Sequence, residues 1–190
     1  SITAICTDNK GGVYISGNLK DSSEKSIVAK WDGSSWSQLK NAASPLQFQT
    51  YEEVKIVCDG NGIVYALSKF PVRGNEYNIM KWDGKNWAFV STLIKENKHK
   101  FIPQSPMYVD KSNNFYIGTY KFEYEKNKKS KFIVLKWNGI SFDEFCEITD
   151  CENYQDCNSM SLFYSKNEDI FIRNKYGQIR KYSSKKLNLE

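Results

Sequence analysis

The segment Lys30-Trp31-Asp32-Gly33-Ser34-Ser35-Trp36 recurs as Lys81 to Trp87 (KWDGKNW) and as Lys136 to Phe142 (KWNGISF) in this chain of 190 residues. A weaker fourth copy, Lys181 to Leu187 (KYSSKKL), keeps the lysine-aromatic pair and a large apolar residue five positions after the aromatic. In the first three copies Asp-Gly or Asn-Gly separates two aromatics, and such a dipeptide favours a β-hairpin turn. Four hairpins in register predict a repeat protein.

A second shared segment lies upstream of each hairpin. It reads DNKGGVY at Asp8 to Tyr14, DGNGIVY at Asp59 to Tyr65 and DKSNNFY at Asp110 to Tyr116, with Lys166 to Ile172 (KNEDIFI) as the weaker fourth copy. Between these turn signals the first repeat contains four strand-like runs, predicted at Ile2 to Thr7, Gly12 to Gly17, Ser26 to Trp31 and Ser35 to Leu39. One repeat is therefore predicted to be one four-stranded antiparallel meander.

Meanders that recur at about 40 to 50 residues are typical of β-propellers. The predicted fold class is all-β, a single β-propeller domain over residues 1–190, with four blades at approximately 1–44, 45–99, 100–150 and 151–190. Uninterrupted helical periodicity is lacking and 15% of the residues are aromatic, which excludes a helix bundle. A closed four-bladed monomer is favoured. A ring completed by a second chain, or by a longer parent chain, stays open as the alternative.

The aromatic residues of the repeat are predicted to fill the wedge-shaped gaps between blades. Two rings that flank a tight turn can project into the same gap. A row of exposed aromatics that stack on sugars is the alternative. The residues concerned are Trp31, Trp36, Trp82, Trp87, Trp137, Phe142, Tyr14, Tyr65 and Tyr116.

The combined pattern D-x-x-G-x-V-Y followed by V-x-K-W-D-G-x-x-W resembles the repeats of kelch-like and galactose-oxidase-like propellers, especially bacterial repeat propellers. The resemblance covers essentially the whole chain and implies a propeller. It concerns structural positions and transfers no catalytic residue, because no copper or tyrosyl-radical constellation of the oxidase kind maps onto a chain whose single histidine is His99.

Binding is predicted on the face that carries the long, divergent loops, since variable loops on a rigid scaffold often hold function. The loop Lys121 to Lys131 is rich in lysine, whereas the connection Asp143 to Asn158 is acidic, and this segregation would steer a protein partner of complementary charge. Solvated loops without a binding role are the alternative. The predicted binding residues are Lys98, Lys121, Lys126, Lys128, Lys129, Asp143, Glu144, Glu147, Tyr77, Tyr124 and Tyr154.

A glycan-binding module is the second functional hypothesis, in which exposed aromatics outside the repeat core stack on sugars. The candidates are Tyr51, Tyr77, Tyr120, Tyr124 and Tyr154. A hydrolase with two carboxylates from different blades is less favoured. No nucleophile-elbow, phosphate-loop, dinucleotide or zinc-protease motif occurs, so the chain is predicted to be non-catalytic and to need no cofactor or metal.

Charge and cysteines constrain the remaining function classes. The net charge of +5 is almost entirely lysine, which disfavours specific nucleic-acid recognition, and no apolar run approaches the roughly 18 residues of a membrane span. Five cysteines contain no CxxC pair, and a disulfide within the cluster Cys146, Cys151 and Cys157, or from Cys6 to that cluster, competes with reduced thiols. A start at Ser1 without a leader suggests an exported chain whose signal was removed, or an excised domain.

Overall fold

The computed structural model describes residues 1–22, 24–40, 53–69, 76–93, 99–110, 112–123, 131–148, 161–164, 169–173 and 176–182. These residues are all β and contain no helix. The strands are β1 Ile2–Thr7, β2 Val13–Gly17, β3 Ala29–Trp31, β4 Trp36–Gln38, β5 Lys55–Cys58, β6 Val64–Ser68, β7 Asn78–Trp82, β8 Trp87–Thr92, β9 His99–Val109, β10 Phe115–Glu123, β11 Lys131–Trp137, β12 Phe142–Ile148, β13 Ser161–Tyr164, β14 Ile170–Arg173 and β15 Ile179–Tyr182.

The strands form four antiparallel sheets, and each sheet is a meander in chain order. Sheet 1 holds β1 to β4, sheet 2 holds β5 to β8, sheet 3 holds β9 to β12, and sheet 4 holds β13 to β15 within the described residues. The prediction of one antiparallel meander per repeat is thereby confirmed. The chain divides into two compact units, Ser1–Ile94 with sheets 1 and 2 and Lys95–Glu190 with sheets 3 and 4.

The turn residues occupy the backbone conformations that the repeat predicts. Gly11, Gly62 and Asn113 stand at the same place in the first hairpin of three repeats, and their φ angles are +84°, +88° and +62°. Gly33, Gly84 and Gly139 occupy the second shared turn with φ between +100° and +105°. A positive φ is costly for most residues with a side chain, which explains why glycine or asparagine recurs at these positions.

Strand pairing corrects the alignment of the fourth repeat by one residue. Tyr14 pairs with Lys30, Tyr65 with Lys81 and Tyr116 with Lys136. In sheet 4 the residue that pairs with Lys181 is Phe171. Phe171, and not Ile172, is therefore the counterpart of Tyr14, and the shared segment starts at Ser165.

Sheets 1 and 2 pack together through opposite faces. We call face A the side of each sheet that carries Tyr14 or its counterpart, and face B the side that carries Trp31 or its counterpart. Face A of sheet 1 meets face B of sheet 2 in one buried core, made of Tyr14, Val28, Leu39, Val54, Ile56, Val64, Ala66, Met80, Trp82 and Trp87.

Hydrogen bonds also join these two sheets, besides the apolar core. The Ser16 hydroxyl donates to the Val54 carbonyl at 2.6 Å, and the Trp87 indole Nε1 donates to the Leu39 carbonyl at 3.0 Å. The Asn9 amide donates to the Gly60 carbonyl at 3.1 Å. Because the first two bonds are buried, breaking either one would leave an unpaired polar group in the core.

Sheets 3 and 4 repeat this arrangement in the second unit. Face A of sheet 3 and face B of sheet 4 share a core of Tyr116, Tyr120, Phe132, Val134, Cys146, Ile170 and Ile172. Tyr120 was among the tyrosines predicted to be exposed for sugar stacking, and that prediction is wrong. Its ring lies on the core side of β10, where it is 2% exposed.

The aromatic pairs of the second hairpin form as predicted, but they are not all buried. Trp31 and Trp36, Trp82 and Trp87, and Trp137 and Phe142 have ring centroids 5.5, 5.5 and 4.9 Å apart. Trp82 and Trp87 are buried, while Trp31, Trp137 and Phe142 are half-buried. The prediction that Trp36 belongs to the core is wrong, since the described part of unit 1 covers face B of sheet 2 but not face B of sheet 1.

The predicted acidic connection is partly strand, since Asp143, Glu144 and Glu147 lie in β12. In the segment 142–148, Cys146 on one face is buried and Glu147 on the other is exposed, which is the period-2 pattern of a half-buried strand. The density of acidic residues concealed that alternation.

Gly62 is predicted to tolerate alanine less well than Gly84. A Cβ atom on Gly62 would lie 3.0 Å from the Tyr14 hydroxyl and 3.1 Å from Asp8 Oδ2, whereas one on Gly84 would meet nothing within 4 Å. Both glycines have positive φ, so the backbone cost of about 1 kcal/mol is shared and only Gly62→Ala adds a packing cost. Urea unfolding should give the lower midpoint for Gly62→Ala, and equal midpoints would contradict the close approach of the two turns.

Candidate ligand cleft between the first two sheets

A buried aspartate organises the first hairpin of three repeats. Asp8 Oδ1 accepts hydrogen bonds from the amides of Lys10 and Gly12, both at 2.8 Å, and its Oδ2 accepts one from the Tyr14 hydroxyl at 3.0 Å. Asp110 accepts the same three classes of donor, from the amides of Ser112 and Asn114 and from the Tyr116 hydroxyl. Asp59 accepts from the amides of Asn61 and Ile63.

A lysine lies over the tyrosine ring in each of these repeats. The Nζ atoms of Lys30, Lys81 and Lys136 lie 5.3, 5.9 and 5.5 Å from the ring centroids of their paired tyrosines. At this distance the ammonium group is attracted to the face of the ring. We call the aspartate, tyrosine and lysine of one repeat its triplet.

The first triplet shifts the pKa values of Asp8 and Tyr14 in opposite directions. Burial alone would raise the pKa of Asp8, but the hydrogen bonds from Gly12, Lys10 and Tyr14 outweigh it and the net pKa is lowered. Burial, and then the hydrogen bond to Asp8, raise the pKa of Tyr14. Asp8 therefore stays ionised and Tyr14 stays protonated at neutral pH.

The fourth repeat reaches a similar arrangement with different residues. Phe171 has no hydroxyl to donate, and Ser165 stands at the position of Asp8. The acid comes instead from Asp169, at the position of Gly12, whose Oδ2 pairs with Lys181 Nζ at 2.7 Å while that lysine lies over the Phe171 ring at 6.0 Å. A side chain at Gly12 itself would collide with Asp8, so the two positions of the acid exclude each other.

A cleft of about 570 Å³ opens beside the first triplet, between sheets 1 and 2. It lies beside the short turns of these two sheets, and none of its lining residues is among the predicted binding residues. The first triplet and the Leu39 end of β4 form one side, and the two short turns of sheet 2, with Asn61 and Asp83, form the other. Its volume falls in the range of about 300–1,000 Å³ that is usual for small-molecule sites.

The cleft carries more positive than negative charge. Its walls include Lys10, Lys30, Lys40 and Lys85 against Asp8 and Asp83. The hydrogen bonds that Asp83 accepts from the amides of Asn86 and Lys85 lower its pKa, as the turn amides do for Asp8, so both carboxylates are already engaged. The walls thus carry an excess of two positive charges.

Neutral hydrogen-bonding groups complete the lining. Ser37 and Gln38 come from β4, and Asn61 comes from the first turn of sheet 2. The side-chain amides of Gln38 and Asn61 make no hydrogen bond to another described residue. The arrangement can therefore hold a small polar ligand that offers hydroxyl groups and a negative charge.

Three charged residues of the predicted binding face, Lys121, Glu144 and Glu147, form ion pairs. Lys121 Nζ lies 2.6 Å from Glu144 Oε1, and Lys131 Nζ lies 2.8 Å from Glu147 Oε2. Asp143 accepts a hydrogen bond from the Asn138 side chain at 2.9 Å. Opposite charges from β10, β11 and β12 thus meet on sheet 3, and the predicted segregation into a basic and an acidic loop is wrong for these residues.

The other predicted binding residues are placed as follows. Tyr77 is half-buried beneath Lys69, whose Nζ lies 5.4 Å from the ring centroid. The remaining predicted residues, together with Tyr51, lie outside the described residues: Lys98, Tyr124, Lys126, Lys128, Lys129 and Tyr154. A binding role for these residues stays a prediction.

Sequence reasoning missed the cleft although its signal was present. Asp8 and Lys30 recur at fixed places in the repeat, and a recurring charged residue indicates a structural or binding role more strongly than an apolar one. The predictions from this motif used its aromatic residues and not its charged ones. Gln38 and Asn61 carry no comparable signal, because their convergence depends on how sheet 1 meets sheet 2.

The thiols of the first unit meet across the two sheets. Cys6 in β1 and Cys58 in β5 share a hydrogen bond, which, with burial, raises the pKa of Cys6. Burial likewise raises the pKa of Cys146, to about 11. Cys6, Cys58 and Cys146 are free thiols, so the proposed disulfide from Cys6 to Cys146 is absent; Cys151 and Cys157 lie outside the described residues.

Within the described ranges, no three His, Cys, Asp or Glu side chains converge as a metal ion would require. No helix in that part of the chain has the length and apolarity needed to cross a membrane.

Comparison with known proteins gives no family. No family model and no curated protein matches the chain, so the resemblance to kelch-like repeats stays a prediction. Among solved structures the chain is similar to a fucose lectin from Kordia zhangzhouensis in complex with methyl-fucoside, at 17% sequence identity and a TM-score of 0.45, over 74% of this chain and 95% of that one. A likeness this distant carries no argument about what the present chain binds.

The Asp8 carboxyl is predicted to titrate below the ordinary pKa of 3.8. As pH falls, the unfolded chain binds this proton first, so stability that is present above the unfolded pKa is lost as pH falls through the folded pKa. Tyr14→Phe removes one hydrogen bond to the carboxylate. It should raise the pKa of Asp8 and cost about 1 kcal/mol of unfolding free energy.

NMR titration of the carboxyl carbons and urea unfolding measure these two effects. Tyr176→Phe deletes the same atom from an exposed residue of the fourth repeat and is expected to leave the pKa of Asp8 unchanged. An Asp8 pKa at or above 3.8 in the unmodified protein would refute the prediction.

Cys6 is predicted to react slowly with iodoacetamide in the folded protein, because only the thiolate is the nucleophile. Cys58→Ala removes the hydrogen-bond partner that contributes most to the raised pKa, so alkylation of Cys6 should accelerate. Cys146 lies in the core of the second unit and serves as the internal control, with an unchanged rate. Peptide mass spectrometry after timed labelling measures the alkylation rates of Cys6 and Cys146. Equal acceleration at the two cysteines would indicate that Cys58→Ala destabilises the whole protein and would contradict the prediction.

Proposed function

We propose that this protein is a non-catalytic binding module, that its four sheets are the blades of a β-propeller, and that the cleft between sheets 1 and 2 takes an acidic saccharide. The cleft carries the functional part of the proposal. It combines ligand-sized volume, an excess of lysine and neutral hydrogen-bonding side chains at one opening.

The packing of the sheets supports the propeller arrangement. In each compact unit, face A of one meander packs on face B of the next, in the same order along the chain. The blades of a propeller are meanders stacked face to face in this regular order around a central axis. The chain would then contribute four blades, as the repeats predict.

The side chains of the cleft favour a saccharide among anionic ligands. Serine, glutamine and asparagine suit hydroxyl groups, and Trp82 in the wall offers an apolar surface for the carbon face of a sugar. The cationic groups are lysines, which act as point charges and do not form the bidentate contacts that arginine makes with phosphate. A carboxylated or sulfated sugar fits this combination.

The carboxylates of the cleft support binding over hydrolysis. Glycosidases need one carboxyl with a raised pKa to protonate the leaving group. Asp8 and Asp83 come from different sheets, as a hydrolase would require, but hydrogen bonds lower the pKa of each. Neither can supply a proton near neutral pH.

Lys30→Met is predicted to weaken binding of an acidic saccharide by about tenfold, the equivalent of one charge-assisted hydrogen bond. An array of neutral, carboxylated and sulfated glycans identifies the ligand, and titration calorimetry measures its affinity at two salt concentrations. Lys131→Met removes an exposed, ion-paired lysine from sheet 3 and should leave the affinity unchanged.

Three results would count against the proposal. An array without an acidic hit, equal affinities for Lys30→Met and Lys131→Met, or binding insensitive to salt would each contradict a cationic cleft. Capture of a protein partner that charge reversal at Lys126, Lys128 and Lys129 abolishes would support the other hypothesis, binding through the long loops.

A further inference from the structure

Two cysteines face each other across the contact between sheets 1 and 2. Cys6 pairs with Tyr14 and therefore lies on face A of sheet 1. Cys58 pairs with Val64, the neighbour of Tyr65, and therefore lies on face B of sheet 2. Both cysteines pack against the core that these two faces share, and their thiols share a hydrogen bond. Each of the two is half-buried, so a reagent in solution can reach the pair.

Packing in the repeat does not require cysteine at either of these positions. The first three repeats can be aligned on the aspartate of the first hairpin. The residues at the place of Cys6 are then Val57 and Tyr108, and those at the place of Cys58 are Thr7 and Val109. The sister repeats thus fill both places with larger or β-branched side chains. The two thiols meet at one interface for a reason other than the packing that the repeats share.

Thiols in a hydrogen bond are already close to the arrangement that a disulfide needs, with sulfur atoms about 2.05 Å apart and Cβ atoms roughly 3.5–4.5 Å apart. Rotation of the two half-buried side chains can bring the sulfur atoms together. We infer that Cys6 and Cys58 form a reversible disulfide that links sheet 1 to sheet 2 within one chain. The oxidant is a small-molecule disulfide of the glutathione class.

The bond forms by two thiol–disulfide exchanges with oxidised glutathione. The Cys58 thiolate attacks one glutathione sulfur, which gives a mixed disulfide and releases a glutathione thiolate. The Cys6 thiolate then attacks Cys58 Sγ and expels the second glutathione thiolate. The two cysteine protons pass through water to the two released thiolates. Two thiols are thereby oxidised to one disulfide, while one oxidised glutathione is reduced to two glutathione molecules.

The raised pKa of Cys6 sets the order of the two exchanges. Its largest cause is the hydrogen bond with Cys58, and burial and the charge of the Cys58 thiolate follow. Cys6 therefore keeps its proton at first, and the attack begins at Cys58. Once Cys58 is part of the mixed disulfide, it carries no negative charge and no longer accepts the thiol proton. Two of the three causes are then removed, so Cys6 can ionise and complete the bond.

The disulfide would join the two sides of the cleft close to their turns. Cys6 lies two residues before Asp8, and Cys58 directly precedes Asp59. Asp8 lines one side of the cleft, and Asn61, whose amide donates to Asp59, lines the other. A bond between the ends of β1 and β5 therefore restrains the separation of these sides. Its use as a control on ligand binding is the one consequence that rests on the proposed function.

Non-reducing peptide mass spectrometry of the full chain tests the bond. Reduced protein is equilibrated with oxidised and reduced glutathione at several ratios, and the remaining thiols are then alkylated. The main product should be a single chain whose peptides are linked through Cys6 and Cys58, and dithiothreitol should restore both thiols. Cys58→Ala should abolish the link. Cys146→Ala is the matched control and should retain it, because Cys146 lies in the core of the second unit.

Oxidation should raise the midpoint of urea unfolding, because the disulfide closes the loop from residue 6 to residue 58 in the unfolded chain. The same treatment should leave the midpoint of Cys58→Ala unchanged. Cys6→Ala serves in its place if Cys58→Ala does not fold, and near-ultraviolet circular dichroism verifies the folding of every variant.

Hydrogen exchange measures the local restraint on the two turns. The amides of Gly12 and Ile63, which donate to Asp8 and Asp59, should exchange severalfold more slowly in the oxidised chain. The amide of Asn114 has the equivalent place in sheet 3 and should keep its rate.

Each other outcome would overturn the inference. Mixed glutathione disulfides without the internal link would show that the two thiols do not pair. A main product linked through Cys146, Cys151 or Cys157, or between two chains, would place the bond elsewhere. An unchanged or lowered urea midpoint would show that the bond strains the contact between the sheets. Equal slowing at Asn114 would refute a local restraint. None of these measurements uses a saccharide, so failure of this inference is distinguishable from failure of the proposed function.

Discussion

A buried carboxylate that must be hydrogen-bonded holds the first hairpin of three repeats in shape. Removing Asp8 from water would cost several kcal/mol if its oxygens were unpaired. The hairpin satisfies it with two backbone amides and the Tyr14 hydroxyl, and this fixes the turn, the tyrosine rotamer and the position of the lysine over the ring. The next turn then approaches so closely that a Cβ atom at position 62 would crowd the Tyr14 hydroxyl and the Asp8 carboxylate. The cleft lies directly beside this arrangement.

The second constraint is that every sheet has two apolar faces. A meander with one polar face could remain alone in water, but Tyr14 and Trp31 lie on opposite sides of sheet 1. Each unit buries face A of one sheet against face B of the next. Repeat proteins commonly need caps for their terminal repeats. Exposed Ile5, Trp36 and Ile179 show that this chain has no polar cap at these positions.

Most of the fold was predictable because its signals are local. Asp-Gly and Asn-Gly turns set the hairpins, and alternation between them set the strands, so that the prediction for β1 agrees with the structure at both ends. Errors arose where local chemistry misleads. The many acidic residues of β12 predicted a loop, although they alternate with apolar residues as in a strand. The fourth repeat lost the aspartate and the glycine that anchor the alignment, and pairing of Phe171 with Lys181 was needed to restore it.

The sequence by itself determined the repeat, the four meanders, the turn conformations and the pairing of the aromatics. All of these depend on residues within one hairpin, where a positive φ or a two-residue periodicity leaves few alternatives. Only the tertiary structure decided that Asp8, Gln38 and Asn61 share a cleft, that Lys121 neutralises Glu144, and that Trp36 is exposed while Trp87 is buried. Burial and ligand geometry depend on which sheet covers which face, and Trp36 and Trp87 have the same local sequence, so no local rule distinguishes them.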